Sequence, residues 1–102
     1  MKILSEKQLE VMQVIWNANG SLTTSQIRDG TGIREAKVRK ILDKLQSTGY
    51  VGSFYRTDFC GMSQYYYPII KADAYLRYCM ERLQELTGKK IILVESGGMT
   101  HE

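Results

Sequence analysis

Two stretches of the chain carry the same helix-starting signature, "LSEKQL" and "LTTSQI". In the first, Ser5 stands as the N-cap and Gln8, three residues on, completes a capping box. Leu4 and Leu9 take the two positions of a hydrophobic staple. In the second, Thr23, Gln26, Leu22 and Ile27 occupy the same four places. Each box satisfies backbone N–H groups that a helix start otherwise leaves without a partner, so the chain must enter a helix at Ser5 and again at Thr23. With so little sequence between the two starts, the helices are short and must cross at a steep angle.

The residues after each start fit a helix with one buried face. Leu9, Met12, Ile15 and Trp16, with Val11 beside them, repeat at helical spacing until Asn19-Gly20, where the first helix is expected to end with Trp16 in the core. The second helix is expected to stop at Gly30, and "GTG" supplies the positive φ of a tight turn. Val38, Ile41, Leu42 and Leu45 then mark the buried stripe of a third helix. That stripe leaves Ala36, Lys37, Arg39, Lys40, Asp43 and Lys44 on the outward arc. Arg34, at the N-cap position, is a poor capping residue.

Beyond Gly49 the period changes to two. "YVGSFYR" and "SQYYYPI" read as strands of a hairpin whose medium-length tip is "TDFCGM", and Pro68, which cannot donate to a ladder, suits the end of the second strand. Tyr65, Tyr66 and Tyr67 alternate across that strand, so one side packs on the helices and the other is more exposed. Helical spacing resumes in "KADAYLRYCMERLQELTG", with Ala72, Tyr75, Leu76, Cys79, Leu83 and Leu86 on one side and Gly88 as the stop. The aliphatic run of "KKIILVESGG" favours a short strand before a disordered end. The expected organisation is a domain over residues 1–70, a helix over 71–88 and a tail over 89–102.

Charge narrows the function. Between Arg34 and Lys44 lie five basic and two acidic residues, which account for the whole net charge of +3 of the 102-residue chain. One short segment therefore carries the positive potential that would steer an anionic partner. No apolar run is long enough to cross a bilayer and no secretory signal opens the chain, so the expected location is the cytoplasm. Cys60 and Cys79 have no CxxC spacing, and His101 is the single histidine. Neither a metal site nor a cofactor is expected. HExxH, GxSxG and phosphate-loop patterns are lacking, which argues against an enzyme.

Three helices followed by a hairpin, with a glycine turn between the second and third, is the order of a winged helix-turn-helix. The fold class expected is mostly α with a small β-hairpin, plus one additional C-terminal helix. Its third helix fits a DNA major groove, and its hairpin can lie along the neighbouring backbone. "LSEKQLEVMQVIWNANGSLTTSQI" resembles the opening of penicillinase-repressor-type regulators. "TGIREAKVRKILDKLQSTGYV" resembles the turn, recognition helix and approach to the wing of many winged-helix repressors, multiple-antibiotic-resistance regulators among them.

The resemblance implies that Glu35, Ala36, Lys37 and Lys40 face base edges, while Arg28, Arg34, Arg39 and Lys44 contact phosphates. Arg56 is the only basic residue of the hairpin and the one wing residue in this set. The expected function is sequence-specific binding of double-stranded DNA by a homodimeric transcriptional repressor. Tyr75, Leu76, Cys79, Leu83 and Leu86 form its expected dimer interface. The competing expectation is a protein-interaction module on the same fold, acting through the wing tip at Phe59 and Met62 and through the aliphatic tail. A thiol at the tip, Cys60, is expected to be more accessible than Cys79.

Overall fold

The computed structural model describes residues 2–59 and 61–89, and the chain divides into two compact units, one ending at Ala72 and the next beginning at Asp73. Helix α1 (Glu6–Asn17) starts at its capping box. The Gln8 N–H donates to Ser5 Oγ at 3.3 Å and the Ser5 N–H donates to Gln8 Oε1 at 2.9 Å. Helix α2 (Thr24–Thr31) repeats the arrangement at Thr23 and Gln26, with distances of 3.2 and 2.9 Å. Both helix ends differ from expectation. Helix α1 stops at Asn17, where Ala18 turns extended, before Asn19-Gly20 is reached. Helix α2 runs through Gly30 and ends on Gly32, whose φ of 76° places the backbone in the left-handed region. Gly30 instead serves packing. A Cβ there would lie 2.9 Å from Val14 Cγ1, so its bareness lets α2 approach α1 closely.

The turn out of α2 is held by one hydroxyl. Thr31 Oγ1 donates to the Ile27 carbonyl at 2.9 Å and accepts the Ile33 N–H at 3.1 Å, fixing the chain before helix α3 (Glu35–Ser47). The expected stripe of α3, namely Val38, Ile41, Leu42 and Leu45, is buried, and Arg34 gives the helix no side-chain cap. At the other end Gly49, with φ 85°, closes a Schellman motif. The Tyr50 N–H donates to the Leu45 carbonyl at 2.8 Å and the Gly49 N–H to the Gln46 carbonyl at 3.1 Å.

That motif delivers the chain into strand β2 (Val51–Asp58), which pairs antiparallel with β3 (Gly61–Pro68) from Val51↔Pro68 to Asp58↔Gly61. Only positions 59 and 60 separate the strands, so the tip is tighter than the expected six-residue connection. A third strand, β1 (Leu22–Thr23), pairs with β3 at Tyr66 and Tyr65 and was not expected. Its origin lies in the cap: Thr23 has the extended backbone of an N-cap, φ −82° and ψ 166°, and such a residue can pair with a strand while its side chain starts a helix. The sheet order is β1-β3-β2.

The core gathers Val11, Met12 and Ile15 of α1, Ile27 of α2, the α3 stripe, Tyr50, Val51 and Tyr66. Full burial of a side chain of this size contributes about 1.5–3 kcal/mol, so the three helices and the base of the hairpin, not its tip, hold the first unit together. Trp16 is half-buried at the edge of this core, and its indole N–H donates to the Ile70 carbonyl at 2.9 Å. Helix α4 (Ala72–Thr87) begins on the last residue of the first unit and otherwise belongs to the second, and it is stopped by Gly88 at φ 70°. The expected position of Cys60 and the expected strand of the aliphatic tail lie outside the described residues.

Candidate nucleic-acid interface

Helix α3 is held against the core by its apolar stripe, and this presents a divided outer surface. On one edge stand Lys37, Lys40 and Lys44, all exposed. With Arg34, Ala36 and Ile41 they form one wall of a shallow groove, and Ser5, Lys7 and Gln8 at the start of α1 form the other. Among the described residues, Arg34, Lys37, Lys40 and Lys44 make no ion pair. Their charge is therefore open to a polyanion, and the small side chain of Ala36 leaves room for close approach.

The opposite edge is electrically closed. The Glu35 carboxylate, one-third exposed, receives Arg28 Nη1 on Oε1 and Arg39 Nη2 on Oε2, both at 2.8 Å. Arg28 also reaches Asp29 Oδ1 through Nε at 3.1 Å. Two arginines and two carboxylates thus form one network that also pins α2 to α3. Arg39 extends beside Thr24, Ser25, Tyr55 and Gln64, which line a polar cleft between the start of α2 and the hairpin. Behind the cleft, Gln46 and Gln64 each donate to Ser53 Oγ at 3.0 Å, so α3 is tied to both strands of the wing.

The register places Phe54, Arg56, Tyr65 and Tyr67 together on the other face of the hairpin. Phe54 stacks on Tyr65 with ring centroids 5.6 Å apart, and the Arg56 guanidinium lies 5.2 Å from the Tyr65 ring and 5.9 Å from Phe54. Phe59 at the tip is fully exposed and Met62 largely so. Under the cleft, Tyr66 is buried. Its phenol is pushed above the ordinary value by burial and then by the charge of Asp43, against the opposing effects of a hydrogen bond with Thr24 and of Arg39.

The residues singled out in the sequence therefore fall into separate groups. Ala36, Lys37 and Lys40 share one wall with Arg34 and Lys44, whereas Arg28, Glu35 and Arg39 share the other edge and are bound to one another. Arg56 stands apart on the aromatic face. Lys7 was missed because it precedes the helix-turn-helix in sequence and joins the groove only through the crossing of α1. The Glu35–Arg39 link had a visible signal in its i,i+4 spacing; the Arg28–Glu35 link did not. On α4, Tyr75 is buried, Cys79 is half-buried, and Leu76, Leu83 and Leu86 are exposed. Among the described residues there is no cluster that could hold a metal ion and no helix long and apolar enough to cross a membrane.

The comparisons with known proteins bear on the fold and the family. A structure of the DNA-binding regulator BpsR from Bordetella bronchiseptica, from work on its regulation by 6-hydroxynicotinic acid, is similar over 94% of this chain and 71% of that one. The TM-score is 0.60 at 13% sequence identity, so the likeness is one of fold. No curated protein sequence matches the chain. The penicillinase repressor family matches residues 4–95, nearly the whole chain. With a winged helix, a cationic third helix and that match, the chain belongs to the penicillinase repressor family and is a DNA-binding transcriptional repressor.

Proposed function

We propose that the protein binds a specific double-stranded DNA sequence as a homodimer and represses by occluding a promoter. The observation that carries the reading is the lysine edge of α3, where four cations without ion-pair partners among the described residues surround Ala36 on an exposed helix face. Lys37 and Lys40 can donate to guanine O6 and N7, and Ala36 can touch a thymine methyl. Arg34, Lys44 and Lys7 lie beside them as phosphate contacts, which set orientation without reading sequence. The polar cleft at Ser25, Tyr55 and Gln64 offers further hydrogen-bond donors to the backbone on the wing side. Dimerisation is assigned to α4, whose exposed Leu76, Leu83 and Leu86 need an apolar partner.

The test is duplex binding measured against salt. A dimer that engages about six phosphates should lose affinity with a log–log slope of about −5. A flat response, or no retention of any duplex at low salt, overturns the reading. The exposed Phe59 and Met62 favour one further contact, an apolar surface of another protein met by the wing tip. In that case Phe59→Ser abolishes the protein contact and leaves the salt slope unchanged.

A further inference from the structure

The cations on and around α3 are not equivalent. The lysine edge is open, whereas Arg39 and Arg28 are both held at 2.8 Å by Glu35. Sequence-independent affinity for DNA grows with each phosphate that a protein neutralises. A cation already satisfied by a carboxylate at hydrogen-bond distance must give up that charge-assisted bond before it can take a phosphate. The Glu35 carboxylate is only one-third exposed and is doubly engaged, so phosphate competes poorly with it.

Resting on the DNA-binding reading above, we infer that Glu35 is a positioning residue that limits sequence-independent binding by keeping Arg39, and with it Arg28, off the phosphate backbone. Arg28 has a second carboxylate in Asp29, so loss of Glu35 releases chiefly Arg39. Arg39 is more than half exposed and borders the polar cleft, where a phosphate oxygen can reach it alongside Ser25 and Tyr55. This role differs from the base contact that the family resemblance implies for Glu35. A base reader raises the affinity of one sequence over others; a limiter lowers the affinity of all of them.

Glu35→Gln separates the roles. The probes are a mixed-sequence duplex and the best duplex from a random-oligonucleotide selection, both titrated across salt with the full chain. The expected result is tighter binding to both, by about five- to tenfold per bound protomer near 0.1 M salt, with the slope steeper by about 1 for each bound protomer. Adding Arg39→Gln in the same chain should return the slope to that of the unmodified protein. An unchanged slope with a loss confined to the selected duplex overturns the inference and makes Glu35 a base contact. An unchanged slope with equal losses on both duplexes, accompanied by a lower melting temperature, overturns it in favour of a purely structural link between α2 and α3. If the unmodified protein itself shows no salt-dependent duplex binding, the DNA-binding reading fails first and the inference falls with it.

Discussion

Tyr66 holds its phenolic proton more tightly in the folded state than in the unfolded chain, because burial and Asp43 disfavour the phenolate. Its contribution to stability is therefore complete at neutral pH, and it is lost as pH climbs past about 10, where the unfolded chain ionises first. Melting temperatures should fall in that alkaline window, and Tyr66→Phe should flatten the fall. Lys37, Lys40 and Lys44 share an edge but differ in their expected roles. Lys37→Ala and Lys40→Ala should change which bases a selection recovers, while Lys44→Ala should weaken all duplexes alike. Equal, sequence-independent losses at all three would remove Lys37 and Lys40 from the base-reading set.

At the level of elements, the features readable in the sequence were those that depend on neighbours along the chain. Ser5 with Gln8 and Thr23 with Gln26 each satisfy their partner three residues away, so both helix starts came from local chemistry. The stripe of α3 was legible for the same reason. Features that depend on distant contacts were not. Gly30 resembles a helix stop until Val14 is seen packed above it, and β1 consists of two residues that only β3 makes into a strand. The division of α3 into an open and a closed edge needed Arg28, which arrives from another helix. The hairpin shows the same dependence at Gly52, where a Cβ would lie 2.5 Å from the Tyr67 ring. Gly52→Ala should push that ring aside, displacing the Tyr67–Phe54 contact and costing about 1–3 kcal/mol in denaturant unfolding. If Tyr67→Ala is introduced together with Gly52→Ala, much of the steric part of that cost should disappear.

For the whole molecule, the proposed recognition requires two copies. In a two-fold dimer the paired α3 helices could reach successive turns of the major groove, about 34 Å apart, and the doubled phosphate contacts would raise affinity without new chemistry. Leu83→Glu with Leu86→Glu should give a folded monomer with much weaker duplex binding. An unmodified protein that sediments as a monomer at high micromolar concentration would contradict the two-site arrangement. The Trp16–Ile70 hydrogen bond has a practical bearing on such experiments, since Trp16 is the chain's single tryptophan and its indole spans the seam between the end of α1 and the residues just after β3. Its fluorescence is a built-in gauge of hydration at that seam, spectrally separate from the seven tyrosines. No residue of α3 lines the pocket beside it, which Tyr67, Pro68 and Lys71 share. A duplex docking on α3 should leave the emission maximum where it stands, and a red shift on binding would report that water has entered between the end of α1 and the residues just after β3.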